Sequence, residues 1–169
     1  LSVLSIGCCN GEEPYSMALL WKERIQPHFP KAELRITALD VDPSCLNRAR
    51  TGLYSGKTLR ELPPDILDKW FLPQADGYRL HPEVQRMVSF EPCDLLHDPL
   101  PGHQDLILCR YLVFTYFRSG RRLGMTRKIA ASLDPNGVLV LGRKEGLGEA
   151  DRAFFRPVAG MPCLYVLNG

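Results

Sequence analysis

An apolar strand candidate, Ser2 to Ile6, runs directly into a turn with a glycine at each end, Gly7-Cys8-Cys9-Asn10-Gly11, and then into Glu12-Glu13-Pro14. Acids and a proline together mark the first turn of a helix. Ala18, Trp21 and Ile25 supply that helix's apolar face, with Met17 and Leu20 beside them. A second strand, Leu34 to Leu39, ends at Asp40. Strand, glycine turn, helix, strand, acid is the layout of a nucleotide site. The glycines let a ligand approach the backbone, the helix start faces it, and the acid accepts both hydroxyls of a ribose.

The rest of the chain keeps the alternation of an α/β parallel sheet. Asp42-Pro43 predicts a capped helix start, and Gly52 its end. A helical stretch from Pro64 to Phe71 follows. The polar segment 74–87, with Asp76-Gly77 as a turn signal, is expected to be a small hairpin, too short for a full three-stranded subdomain. Val88 to Phe90 and Asp105 to Cys109 read as core strands, and Arg118 to Leu133 as a helix. Pro135-Asn136-Gly137 predicts a turn and Val138 to Leu141 a central strand. Two β-like runs around Gly160-Met161-Pro162 predict an antiparallel hairpin at the end.

Composition narrows the function classes. At 169 residues the chain is one domain's worth of protein, expected to span 1–169 without linkers or repeats. A formal charge of +2 is too small to argue a nucleic-acid partner, and the apolar runs are too short for a membrane span. No charged, then apolar, leader is visible at the start. The six cysteines include no C-x-x-C pair, and the four histidines have no ligand spacing, which argues against a metal site or a disulfide framework. Most of the cysteines lie in apolar runs, so a reducing, cytoplasmic setting is expected.

The turn discriminates between ligands. It lacks strict G-x-G-x-x-G spacing, and two acids follow Gly11 where a pyrophosphate would sit. Acids at a helix N-terminus repel phosphate and tolerate a cationic or zwitterionic ligand, which points from dinucleotides toward S-adenosylmethionine. Alternatively, Glu12 and Glu13 do no more than stabilise the helix start.

Gly7-Cys-Cys-Asn-Gly-Glu-Glu-Pro-Tyr-Ser16 closely resembles the signature of CheR-type chemotaxis methyltransferases, which methylate receptor glutamates using S-adenosylmethionine. The resemblance continues through Thr37 to Asp42, Ala49 to Tyr54, Val88-Ser-Phe90 and Asp94-Leu95. It then takes in Leu108-Cys-Arg110, Tyr116-Phe117, Leu133 to Gly137, Leu141-Gly142 and Glu145. It implies a Rossmann-like class I methyltransferase fold: a mostly parallel seven-stranded sheet with helices on both faces and a C-terminal antiparallel hairpin. It also implies cofactor contacts at Gly7, Cys8, Gly11, Glu12, Glu13, Asp40, Val41, Asp94, Leu95, Arg110 and Tyr111. Glu12 or Glu13 would face the methionine end, Asp40 the ribose, and Asp94-Leu95 the adenine. Arg110 and Tyr116 would lie beside the methyl-transfer centre as catalytic residues, and the acceptor would be a carboxylate.

The chain departs from the family pattern in several places. The sequence opens on the first strand, so the resemblance implies a domain 1–169 expected without the family's N-terminal helical domain. Tyr111 stands where the family has Asn, one extra residue separates Arg110 from Tyr116, and Lys144 precedes Glu145. These departures argue against a standard chemotaxis enzyme acting on a tethered receptor and point to a carboxylate on another protein or on a small molecule, with a chemoreceptor-like protein kept as a further acceptor. They also leave open a catalytically degenerate cofactor-binding module. A nucleotide-dependent oxidoreductase on a similar sheet is disfavoured by the acids after Gly11.

Overall fold

The computed structural model describes residues 1–168; Gly169, the end of the expected 1–169 domain, lies outside the described residues. Contacts group the chain into two compact units, Cys8–Pro92 and Leu1–Gly7 with Cys93–Gly169.

Strand β1 (Ser2–Ile6) opens the second of these units. In Cys8–Pro92, helix α1 (Glu12–Leu20) starts at Gly11 and buries Pro14, Tyr15, Ala18 and Leu19. It widens into one π-helical stretch, Trp21–Ile25, which buries Trp21 and leaves Leu20 in solvent. Strand β2 (Arg35–Asp40) leads to α2 (Pro43–Thr51), which is capped by Asp42 accepting from the Ser44 N–H at 2.8 Å and stopped by left-handed Gly52. After β3 (Leu53–Tyr54), α3 (Pro64–Trp70), β4 (Phe71–Gln74), β5 (Gly77–Leu80) and α4 (Pro82–Gln85), strand β6 (Val88–Pro92) pairs parallel with β2. Ala18, Ile36, Ala38, Leu46, Ala49, Leu80 and Val84 are the best-buried side chains of this unit.

The excursion differs from the expected small hairpin at 74–87. The hairpin lies earlier, in β4 and β5, and a third strand joins it: β5 pairs antiparallel with β4 and also with β3, giving the order β3-β5-β4. The three-stranded element expected to be missing is therefore present in compact form. Its third strand is only two residues, Leu53 and Tyr54, recruited by Arg79 and Tyr78 across the ladder.

In the other unit, β7 (Gln104–Leu108) pairs parallel with β1 and with β8 (Leu133–Val140). Between them run α5 (Val113–Tyr116), a short helix that the sequence reading leaves out, and α6 (Ser119–Ser132). Pro135-Asn136-Gly137 does not precede the strand but bulges within it. Gln104 pairs with Leu133 and Leu106 with Val138, so four residues of β8 loop out opposite one of β7. Strands β9 (Phe155–Val158) and β10 (Met161–Leu167) form the antiparallel hairpin, and β10 pairs with β8. The main sheet has seven strands in the order β6-β2-β1-β7-β8-β10-β9. The pairs β6–β2, β1–β7 and β7–β8 are parallel, and the two antiparallel pairs are those that β10 makes with β8 and β9. The expected mostly parallel α/β sheet with a terminal hairpin is the observed one. No helix of the described residues is long and apolar enough to cross a membrane.

Candidate active site

The turn after β1 is held by its own backbone and by Asp40. Cys8 continues the ladder by donating its N–H to the Leu39 carbonyl, and its carbonyl accepts from the Gly11 N–H at 2.9 Å. Cys9 is left-handed at φ 48 and donates its N–H to Asp40 Oδ2 at 2.8 Å; Asp40 Oδ1 accepts from the Asp42 N–H at 2.9 Å. Gly11 is left-handed at φ 87, and a Cβ there would stand 3.0 Å from the Ala49 Cβ and 3.1 Å from the Phe90 ring, so only glycine lets α1 approach α2 and β6 this closely.

An aromatic cluster backs the turn. Tyr15 packs edge-on against Phe90 and Tyr54, with ring centroids at 5.4 and 6.3 Å. Its hydroxyl donates to the Ala49 carbonyl, and the Tyr54 hydroxyl donates to the Asn10 carbonyl at 2.8 Å. Burial pushes the Tyr15 phenol up to about 12 and the Tyr54 phenol higher still, so both remain donors at any physiological pH. Cys8 is equally inert: burial, and then the nearby Asp40 carboxylate, push its thiol up to about 12, leaving its backbone as the part that shapes the turn.

Asp40 has one backbone N–H on each oxygen, so each keeps a lone pair for a further donor. Val41, next to it, is 66% exposed and offers an open apolar surface. Glu12 borders a cavity of about 210 Å³ walled by Tyr15, Tyr54, Leu59 and Phe71, with Glu61 also on its lining. A diol acceptor, an open apolar side chain and a pair of acids at a helix start suit a ribose, an adenine face and an ammonium group. They do not suit a pyrophosphate. The donor set of this unit therefore fits S-adenosylmethionine.

In the other unit the carboxyl ends of β1, β7 and β8 carry Gly7, Arg110 and Gly142. Gly7, at φ 75, lies under Leu112. Tyr111 is left-handed at φ 55 and packs its ring on Gly142, where a Cβ would stand 2.6 Å from the ring carbons. The Arg110 guanidinium lies over that ring, 5.7 Å from its centroid. Glu145 holds the loop in place. Its Oε2 accepts from the Tyr111 and Gly142 N–H groups at 2.6 and 2.8 Å, and its Oε1 accepts from the Thr115 hydroxyl at 2.5 Å. Tyr116 ends α5 with its N–H on the Leu112 carbonyl and is 72% exposed. Arg110 and Tyr111 are thus brought together, while Tyr116 stands out in solvent.

The loop 94–98 is similarly closed on itself. Asp94 accepts from the Leu96 N–H at 2.9 Å and pairs with the His97 ring at 2.7 Å, and its own N–H donates to the Asp98 carboxylate. The His97 contact and the Leu96 N–H hold the Asp94 carboxyl below its usual range. Lys128 ties the Leu95 and Asp98 carbonyls with bonds of 2.9 Å each. Among the described residues, no three His, Cys, Asp or Glu side chains converge as metal ligands.

The family model for the S-adenosylmethionine-binding domain of CheR methyltransferases matches residues 1–160. The chain belongs to the CheR methyltransferase family. Chemotaxis protein methyltransferase 2 of Vibrio cholerae serotype O1 is 33% identical over 161 residues, covering 91% of this chain and 54% of that protein. The chemotaxis protein methyltransferase of Listeria innocua is 34% identical over 146 residues, covering 86% and 53%. The chain spans about half the length of these relatives. Among solved structures, the glycopeptide N-methyltransferase MtfA complexed with sinefungin aligns at a TM-score of 0.51 and 17% identity, over 83% of this chain and 42% of that one. Coclaurine N-methyltransferase aligns at 0.51 and 19%, over 83% and 30%; both likenesses speak to the fold alone.

Within the CheR signature, the structure gives the string Gly-Glu-Glu-Pro-Tyr-Ser a physical reading. The glycine makes the close approach, the acids and proline start α1, and the tyrosine locks the turn to α2. Two side chains outside the expected site set emerge from the geometry, Glu145 and Lys128. Glu145 had a local signal: a carboxylate three residues after Gly142, capping the Gly142 N–H while its own N–H bonds the Gly142 carbonyl. Lys128 had none, because its acceptors lie about thirty residues away in the chain.

Proposed function

We propose that this CheR-family chain transfers a methyl group from S-adenosylmethionine to a carboxylate, in the first instance a protein glutamate side chain, giving the methyl ester. The observation that carries the reading is the Asp40 carboxylate, fixed by the Cys9 and Asp42 N–H groups at the end of β2 beside a left-handed glycine turn. The cofactor supplies an already activated methyl group on a sulfonium. In the Cys8–Pro92 unit, Asp40 would receive the ribose hydroxyls, Val41 would flank the adenine, and the turn ending at Gly11 would admit the chain of the methionine end. Glu12 and Glu13 oppose its ammonium group.

The residues then have little acid–base work to do. A glutamate acceptor is ionised at neutral pH, so no general base is required. What the protein supplies is alignment and exclusion of water. Arg110, laid along the Tyr111 ring, orients the acceptor carboxylate, and the exposed Tyr116 hydroxyl donates a guiding hydrogen bond. The relatives are named as chemotaxis methyltransferases, which supports a chemoreceptor-like protein as the acceptor. Six free cysteines support a cytoplasmic setting.

Calorimetric titration of S-adenosylmethionine and S-adenosylhomocysteine into the chain tests the reading, with Asp40→Ala as the control. Micromolar binding that falls by roughly a hundredfold in the variant is the expected result, since two hydroxyl bonds to a carboxylate are lost. Equal binding by the parent and the variant overturns the assignment of Asp40.

A further inference from the structure

We propose that Cys9 and Cys45 are a peroxide-sensitive pair whose disulfide disarms the cofactor turn. Cys9 is exposed at the left-handed corner of the turn, and its Sγ lies 3.7 Å from the Sγ of Cys45, the third residue of α2 after its Asp42 cap. The Cys45 sulfur is buried and already in a polar setting. It accepts from Arg48 Nη2 at 3.1 Å and faces Asp42 Oδ2 at 3.4 Å. A disulfide needs a separation of about 2.05 Å, so the two sulfurs have to close by less than about 2 Å. Rotation of the exposed Cys9 side chain supplies part of that movement, and a shift of its backbone toward α2 supplies the rest.

The division of labour follows from the surroundings. Cys9 is the sulfur that a small oxidant reaches. Burial, with the neighbouring Cys9 and Asp42, pushes the Cys45 thiol up to about 11, so it waits as the shielded, protonated partner. Hydrogen peroxide is the oxidant. The Cys9 thiolate attacks one peroxide oxygen, an S–O bond forms, the O–O bond breaks and hydroxide leaves, which gives the sulfenic acid. The Cys45 sulfur then attacks the Cys9 sulfur. The S–S bond forms, the S–O bond breaks, and the hydroxyl leaves with the Cys45 proton as water. Two thiols lose two electrons and one peroxide becomes two waters. The Arg48 guanidinium stabilises the negative charge on the Cys45 sulfur as its proton departs.

The consequence for the cofactor rests on the function proposed above. The Cys9 N–H is one of the two backbone donors that fix Asp40. Drawing Cys9 toward α2 takes that donor off Asp40 Oδ2 and rotates the turn against which the ligand would lie.

The test treats the purified chain with hydrogen peroxide, alkylates the remaining thiols, and reads intact mass, linked tryptic peptides and S-adenosylhomocysteine affinity in parallel. The expected result is four alkylated cysteines in place of six, an intact mass about 2 Da below that of the chain plus its four adducts, and a link between residues 1–22 and 36–48, assigned to Cys9 by fragmentation. Affinity should drop by roughly tenfold, the worth of one hydrogen bond to a charged group, and return on reduction. Cys45→Ala should bind as the parent does before oxidation and form no link. Cys9 gaining two oxygens without a link, or a link through Cys8, overturns the pairing. A correct link with unchanged affinity overturns the switch. A chain that forms the link yet never binds the cofactor refutes the functional reading and leaves the pairing supported.

Discussion

Replacing Glu145 with alanine should unfasten the Arg110–Tyr116 loop without touching the sheet. The carboxylate accepts three hydrogen bonds, from the Tyr111 and Gly142 N–H groups and the Thr115 hydroxyl. Hydrogen bonds to a charged group are worth about 1.5–3 kcal/mol when buried. Glu145 is half-buried and water can reach the freed donors, so about 1 kcal/mol per bond is the better figure, or about 3 kcal/mol in all. For a chain of this size that corresponds to a melting point lower by about 6–12 °C. Glu145→Gln keeps the volume and an acceptor oxygen for the two backbone donors, and its amide can donate to the Thr115 hydroxyl. It should lose only about 1 kcal/mol. Hydrogen exchange provides the local readout: the Tyr111 and Gly142 amides should exchange up to about a hundredfold faster in the alanine variant, while Val3 and Leu4 in β1 hold their protection. An alanine variant that melts within about 1 °C of the parent, with both amides still protected, would show that Tyr111 is held by its ring packing and not by the carboxylate.

Gly11→Ala should destabilise the chain by about 1–3 kcal/mol, because the new methyl meets Ala49 and Phe90 at a left-handed backbone; chemical denaturation of the purified variant measures it. At Tyr111, also left-handed, Asn tolerates the conformation better than Tyr, but it gives up the contact with Gly142 and the cation–π contact with Arg110. Tyr111→Asn should therefore stay within about 1 kcal/mol of the parent, and Tyr111→Val, β-branched at the same φ, should fall further; thermal melts rank the three. Asp94 carries a pH signature. Its carboxyl is held below the ordinary value of 3.8, so its contribution to stability is complete above that pH and disappears as pH falls through the lower folded value. Asp94→Asn should flatten the acid limb of a plot of melting point against pH below about 4 and leave the neutral plateau shallower than the parent's.

Local chemistry made much of the architecture legible. Apolar runs bounded by Gly, Asp and Pro mark β1, β2 and α2 to within a residue, because their ends are made by side chains next to them in sequence: the Asp42 cap, the Gly52 stop and the acids after Gly11. What escaped depends on partners far along the chain. Leu53-Tyr54 is a strand only because Arg79 and Tyr78 lie opposite. The bulge in β8 is set by where β7 resumes its register. The left-handed Tyr111 goes against the preference of its own side chain and is held from 34 residues away by Glu145. In the candidate site, the hydrogen bonds that hold the expected residues could not be read from the sequence. Asp40 was expected as a ribose acceptor, but not as the anchor of the turn beside it.

One device recurs in the loops at the carboxyl ends of the strands. Asp40 is fixed by two backbone N–H groups, Asp94 by one with a histidine, and Glu145 by two with a hydroxyl. Each carboxylate stiffens its own loop, and in the Cys8–Pro92 unit Glu12 and Glu13 at the start of α1 add negative charge to that of Asp40. Within the Cys8–Pro92 unit, Asp40, Glu12 and Glu13 favour a ligand carrying more positive charge, and S-adenosylmethionine differs from S-adenosylhomocysteine by one methyl and one positive charge. The attraction to that extra charge is screened by salt, with a Debye length falling from about 30 Å at 0.01 M to 10 Å at 0.1 M. Affinity for S-adenosylmethionine should therefore weaken more steeply with added salt than affinity for S-adenosylhomocysteine, and Glu12→Gln should narrow the difference. Parallel slopes for the two ligands would mean that the acids after Gly11 serve the helix start alone.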